Sequence, residues 1–127
     1  PGQAAYNSAK FAVRGFSEAL RQEMILAHHP VAVTTVHPGG IKTAIARNAT
    51  AAEGLDSASM AEWFDSKMAH TSPEKAAQII LEAVAKKKAR VLVGADAKVL
   101  DIVVRATGSG YQRIVTTLAA RFMPTMR

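Results

Sequence analysis

Cysteine is absent from all 127 residues, which excludes a disulfide framework and any thiolate metal site. The absence fits a reducing compartment, so a cytoplasmic location is expected. Histidine offers no substitute. His28, His29, His37 and His70 lack an i, i+4 ligand pairing, and no metal is expected. No uncharged apolar run approaches the ~18 residues that a bilayer-spanning helix needs, and no signal-peptide pattern is present. Acidic residues thin out along the chain. Residues 1–83 hold seven Lys/Arg against eight Asp/Glu, whereas residues 84–127 hold nine against two, a local charge of +7. Those cations are not interleaved with aromatics, so no nucleic-acid partner is expected. A solvated helical surface, peripheral contact with a membrane, a cover for a pocket and a subunit contact all remain open for them. Pro1 stands where an initiator methionine would, inside a Gly/Pro turn, so the chain is expected to be the C-terminal part of a longer one.

What is present reads as a packed protein, 49% hydrophobic and 20% charged. Residues 4–28 predict a long amphipathic helix. Ala9, Ala12, Val13, Phe16, Leu20, Met24 and Ala27 share one arc, and Lys10, Arg14, Glu18 and Arg21 the other. A stripe of small residues, Ser8, Ala12, Gly15 and Ala19, allows close approach of another helix; a helix that merely tolerates glycine is the alternative. Val31 to Val36 is β-branched and apolar on both faces, the pattern of a buried parallel strand, and His37-Pro38-Gly39-Gly40 breaks it.

A loop or short helix is expected from about 44 to 59, followed by bulky residues at helical spacing, Met60, Trp63, Phe64 and Met68. Ser72-Pro73-Glu74 predicts a helix start, with Ala76, Ala77, Ile80, Ala83 and Val84 buried. Arg90 to Val93 predicts a short strand, and two helices are expected near 96–107 and 110–122. In the last, Tyr111, Ile114, Val115, Leu118 and Phe122 share a face. Helix, strand, helix, strand, helix is the alternation of an α/β fold with a parallel sheet. Two strands do not make a stable sheet alone, so further strands are expected upstream.

Tyr6 and Lys10 lie four apart on the first helix, one turn above each other, at the border of its apolar arc. A phenol ionises near pH 10, so proton exchange at neutral pH needs a neighbouring positive charge to favour the phenolate. A lysine ammonium at this spacing supplies one. Spacing alone is weak evidence, because such pairs arise by chance.

The context is more specific. Gln3-Ala4-Ala5-Tyr6-Asn7-Ser8-Ala9-Lys10-Phe11-Ala12-Val13-Arg14-Gly15-Phe16-Ser17-Glu18-Ala19-Leu20-Arg21-Gln22-Glu23 closely resembles the catalytic helix of the classical short-chain dehydrogenases/reductases. Pro38-Gly39-Gly40-Ile41-Lys42-Thr43, after a buried strand, resembles that family's Pro-Gly-x-Val/Ile-x-Thr segment. The resemblance is strong over residues 1–43, fair over 71–94, and vague in the loop between and in the tail. One departure is Ser8-Ala9, since many members have serine directly before the lysine; the acid/base pair is unaffected.

The resemblance implies the C-terminal half of a Rossmann-type doubly wound parallel sheet. Residues 1–94 would form part of the NAD(P)-binding domain, 44–70 a substrate-binding lobe within it, and 95–127 a helical basic extension. It implies an oxidoreductase moving a hydride between NAD or NADP and an alcohol or ketone. Tyr6 would be the general acid/base. Lys10 would assist it and bond the nicotinamide ribose. Pro38 and Gly39 would shape the strand end beside the nicotinamide. Ile41 would offer its backbone to the carboxamide, and Thr43 would bond the carboxamide or diphosphate. Trp63 and Phe64 either line the pocket of a lipophilic substrate or bury the lobe against the body. The full-length protein is expected to be a homo-oligomer.

Three family features have no counterpart in these residues: the Gly-rich diphosphate turn, the residue that selects NAD or NADP, and the serine upstream of the tyrosine. The chain alone is therefore expected to be inactive. An epimerase or dehydratase of the related extended family also carries Tyr-x-x-x-Lys, but the Pro38–Thr43 segment argues against it. A non-catalytic remnant or interaction module is the remaining alternative.

Overall fold

A computed structural model describes residues 3–49 and 57–122. The elements are α1 (Ala4–Leu26), β1 (Thr35–Pro38), α2 (Ser57–Lys67), α3 (Pro73–Ala85), β2 (Arg90–Val93), α4 (Ala95–Thr107) and α5 (Tyr111–Phe122), with a 3-10 turn at Gly108–Gly110. β1 and β2 pair in parallel, Thr35 opposite Arg90 and Pro38 opposite Val93. Parallel neighbours need a long crossover, which α2 and α3 supply. The expected α/β class with a parallel sheet is borne out.

The core forms where α3 meets one face of this ladder. Ser72 caps the helix by accepting the Lys75 N–H at 3.2 Å, and Pro73 opens it. Ala76 and Ala83 are buried, and Ile79 and Ile80 pack beside them against Val36, Val91 and the fully buried Val93. The inward stripe is thus i, i+3, i+4, i+7. Ala77 and Val84, expected on it, are exposed, and Ile79 takes part instead. A sheet two strands wide meets a narrow stripe of a helix rather than a broad arc.

On the opposite face stand Arg90 and His37, approached by α4 and α1. Arg90 donates to Asp101 of α4 at 2.7 Å, and Arg105 donates to the same carboxylate at 2.9 Å. The Arg90 hydrogen bond, more than that of Arg105, holds the Asp101 carboxyl below its ordinary range. Arg21 ties α1 down: its guanidinium donates to the Val33 carbonyl at 2.8 Å and to the Lys87 carbonyl at 3.3 Å. Thr34 adds a hydroxyl bond to the Lys88 carbonyl at 2.7 Å.

Two sequence expectations shift here. The strand expected at 31–36 runs from Thr35 to Pro38, and Val31 is exposed rather than buried. Strand pairing extends only as far as its partner, and β2 offers four residues. Upstream, the Val33 carbonyl is taken by Arg21 instead of a neighbouring strand. Of the apolar arc of α1, Leu20 and Met24 are half-buried, whereas Val13 and Phe16 are exposed. The half-buried stripe is Arg14, Ser17, Leu20, Arg21 and Met24, because only β1 lies beneath the helix. Around Gly15 a Cβ would meet open space, so no close helix contact is made there among the described residues.

The tail forms the two expected helices. Ala119 is buried and Tyr111 and Val115 are half-buried, while Ile114 and Leu118 are exposed. The side chains of Met60 and Phe122, and part of the loop expected at 44–59, lie outside the described residues. No described helix is long and apolar enough to cross a membrane.

Val93 is the tightest point of this core. Val93→Ala should lower unfolding stability by about 2 kcal/mol, from lost transfer energy plus a residual cavity. Val99→Ala, at a site 60% exposed, should change it by less than about 0.5 kcal/mol. Urea unfolding midpoints check both; equal shifts would refute a core centred on Val93.

Candidate active site

The chain leaves β1 through a turn that other backbone crowds from two sides. The Gly39 N–H donates to the Val93 carbonyl at 2.8 Å, extending the ladder by one rung. The Gly40 carbonyl accepts from the N–H groups of His70 and Thr71, each at 3.1 Å, and the Lys42 N–H donates to the Thr71 carbonyl at 2.9 Å. Ile41 thereby bridges Thr71 in parallel. Because the bridge uses the Gly40 carbonyl and the Lys42 N–H, the N–H and carbonyl of Ile41 itself turn toward the other edge. Thr43 is half-buried, and its N–H closes a tight turn on the Ile41 carbonyl at 2.8 Å.

Close approach of backbone dictates Gly40, and a side chain crowds Gly39. A Cβ on Gly40 would overlap the Met68 carbonyl, and a Cβ on Gly39 would overlap the Asp96 carboxylate. Asp96 also accepts the Gly40 N–H at 2.6 Å. Sequence reasoning missed Asp96 and Thr71. The available signal for the former was an acid two residues beyond Gly94, at the start of α4.

Tyr6 and Lys10 sit in the first turns of α1, with the Lys10 ammonium 5.4 Å from the centre of the Tyr6 ring. Both are exposed, Tyr6 at 55%. By helical spacing they continue the stripe of Arg14, Ser17, Arg21 and Met24 that faces β1. The helix runs antiparallel to the strand. Arg21 holds Val33 near the strand's start, while Arg14 and Glu18 act electrostatically on His37 near its end. Rises of about 1.5 Å per helical and 3.3 Å per strand residue carry Lys10 roughly level with Pro38, and Tyr6 about a turn further. The pair therefore overhangs the end of β1, on the side where the Pro38–Thr43 turn emerges. Ends of parallel strands are where open α/β sheets take their ligands.

His37 completes this region. Its Nε2 is buried without a hydrogen-bond partner among the described residues. Burial lowers its pKa from the ordinary 6.5, and the cations Arg90 and Arg14 lower it further. Neutral imidazole is thus favoured inside.

Trp63 and Phe64 are half-buried on α2, and Met68 just beyond it is 40% exposed. An open concavity on this helix is lined by Arg47, Ala61, Glu62, Asp65 and Ser66, and an Arg47–Asp65 ion pair crosses it. Neither aromatic lines that concavity. Among the described residues no group of three or more metal-ligating side chains gathers.

Comparison with known proteins gives a consistent result. Residues 1–54 match the short chain dehydrogenase family. SadH of Mycobacterium tuberculosis, which carries the name of an oxidoreductase, is 61% identical over 124 residues, covering 98% of this chain and 45% of SadH. The oxidoreductase YxnA of Bacillus subtilis is 30% identical over 95% of the chain and 31% of its own length. Dehydrogenase/reductase SDR family member 7B of Xenopus tropicalis is 33% identical over 83% of the chain and 32% of its own length. The chain therefore spans less than half the length of these relatives. No solved structure matches it with significance.

His37 makes stability depend on pH. Its folded pKa lies below the unfolded value of 6.5, so the stabilisation is complete above that pH. It is lost as pH falls from there through the folded pKa. The urea midpoint should drop between pH 7 and pH 5.5 (roughly the window that histidine titration governs), and His37→Gln should flatten that drop. An unchanged slope in the variant would assign the effect to other groups.

Proposed function

The chain belongs to the short-chain dehydrogenase family, and on that premise we propose that it carries the proton-transfer and nicotinamide-facing part of an NAD(P)-dependent oxidoreductase. One observation carries the reading. The Lys10 ammonium lies 5.4 Å from the Tyr6 ring, and helical spacing extends the β1-facing stripe of α1 to both residues, toward the strand end from which the Gly39–Gly40 turn leaves. The substrate class is an alcohol or its ketone, since a phenol at such a site exchanges a proton with a substrate oxygen.

The residues present fit a nicotinamide dinucleotide. The Ile41 N–H turns away from Thr71 and its carbonyl already accepts from Thr43, so the N–H is the backbone group Ile41 would offer to a carboxamide. Gly39 and Gly40 let the turn lie close against its supports. When bound, the dinucleotide would supply hydride-transfer chemistry. Tyr6 would give or take the proton at the substrate oxygen. Lys10 would keep a positive charge beside the phenol and donate to the ribose, with Ile41 and Thr43 holding the carboxamide side. The diphosphate and adenosine would be held by residues beyond these 127, so we propose that the chain acts as part of a longer protein. The exposed Val13 and Phe16 of α1 support that view, since further strands would cover them.

In the full-length protein, Tyr6→Phe should lower kcat/KM by about 10²–10⁴-fold, and Lys10→Ala should lower it and raise the KM for the dinucleotide. Steady-state kinetics in both directions check this, and a Tyr6→Phe enzyme with near wild-type turnover refutes the reading. For substrate contact, Trp63→Ala should raise the KM for a hydrophobic alcohol with kcat little changed, the pattern of lost uniform binding. An unchanged KM with intact folding would assign Trp63 to packing the lobe.

A further inference from the structure

We propose that Asp96 is a positioning residue for the Pro38–Thr43 turn, acting through the Gly40 backbone. The inference rests on reading that turn as the nicotinamide-facing segment. It adds a residue from α4, outside the stretch that resembles the family's motifs.

Three glycines shape the seat of this carboxylate. Gly94 adopts φ +102°, a conformation that side chains rarely take, and so turns the chain from β2 into α4 within one residue. That places Asp96 in the first turn of α4, against the end of the neighbouring strand β1. There Oδ2 accepts the Gly40 N–H at 2.6 Å. The carboxylate also fills the space that a Cβ on Gly39 or on Gly94 would need. Two strand ends that lie side by side in the ladder are thus joined a second time, beyond its last rung.

The contrast with Asp101, one helical turn and a half further along, shows that this is not a general ion-pair role. Asp101 is held by Arg90 and Arg105. Asp96 makes no ion pair among the described residues. Its charge serves a backbone N–H, giving a short charge-assisted bond.

Gly40 is the hinge point of the turn. Its carbonyl is committed to the N–H groups of His70 and Thr71, and its N–H to Asp96. Asp96 thus fixes the Gly39–Gly40 peptide plane, and the His70 and Thr71 N–H groups fix the Gly40–Ile41 plane that carries the Ile41 N–H, so the path into Ile41 is held on both sides of Gly40. Removal of the acceptor leaves a buried N–H without a partner, and the turn relieves that only by moving. Such movement displaces the Ile41 and Thr43 groups together, whereas Tyr6 and Lys10 on α1 stay in place. The consequence falls on dinucleotide binding before it falls on proton transfer.

The test uses the full-length protein and titrates NADH and NADPH by fluorescence, alongside unfolding midpoints and kcat. Asp96→Ala should weaken dinucleotide binding about tenfold, while Asp96→Asn, which keeps an acceptor oxygen, should stay within about threefold of wild type. Gly39→Ala, which drives a methyl group into the carboxylate, should weaken binding on the wild-type background. On the Asp96→Ala background it should add less than about twofold, because the two changes break the same contact. Asp96→Ala that melts earlier yet binds the dinucleotide with wild-type affinity would overturn the proposal and leave Asp96 a structural role. If Asp96→Ala fails to fold, the other two single variants decide: wild-type affinity in Gly39→Ala overturns it, and weak binding there with near-normal Asp96→Asn supports it. Wild-type protein that binds neither dinucleotide would instead overturn the cofactor reading beneath it.

Discussion

The parallel pairing of Thr35–Pro38 with Arg90–Val93 holds together parts of the chain that are about 55 residues apart. A parallel pair cannot be closed by a hairpin, so its cost in loop closure is met by burial around the crossover helix. Val93, Val91 and Val36 from the ladder and Ala76, Ile79, Ile80 and Ala83 from α3 supply that burial. Small residues on α3 let the helix lie close to a narrow sheet. The rungs also fix which strand ends lie together, and hence bring Gly39 beside Val93 and Gly40 beside Asp96.

The two faces of this ladder are built differently. The α3 face is apolar and continuous. The α1 and α4 face is held by charge and backbone contacts, the Arg21 fork onto two carbonyls and the Arg90–Asp101–Arg105 group, around a histidine whose pKa burial and neighbouring cations lower. Arginine suits such a role because its planar donors reach two acceptors at once. One outcome is that α1 is anchored near its C-terminal end, while its first turns project past the strand. Tyr6 and Lys10, at that projecting end, are exposed and not part of the core.

The region divides between a side-chain pair and a backbone turn. Tyr6 and Lys10 depend only on helical spacing for their mutual position. The turn from Pro38 to Thr43 depends on partners that come from the α2–α3 connection and from α4. Glycine at 40 is what the Met68 backbone demands, and at 39 it leaves room for the Asp96 carboxylate, so the motif's composition has a steric cause as well as any ligand-facing one. SadH, to which the chain is similar over nearly all its length, is more than twice as long, and the exposed Val13 and Phe16 of α1 agree with a larger sheet.

The amino-acid sequence by itself determined the local elements and the family. Ser72-Pro73 marked the start of α3, Gly94 the end of β2, and the Tyr6–Lys10 and Pro38–Thr43 segments the membership. Each of these signals is read within a few residues of chain, where capping, turn chemistry and helical period act. The tertiary structure decided what those elements meet. Periodicity ranks the faces of a helix by polarity but cannot say how wide a surface lies opposite, so it puts Ala77 and Val84 inside where the structure uses Ile79. For the same reason the less apolar stripe of α1 faces β1. The boundaries of β1 followed its partner and not its own β-branched run, because a strand ends where its pairing ends. Asp96 lies 56 residues from Gly40, and only the ladder brings that carboxylate to the N–H it holds.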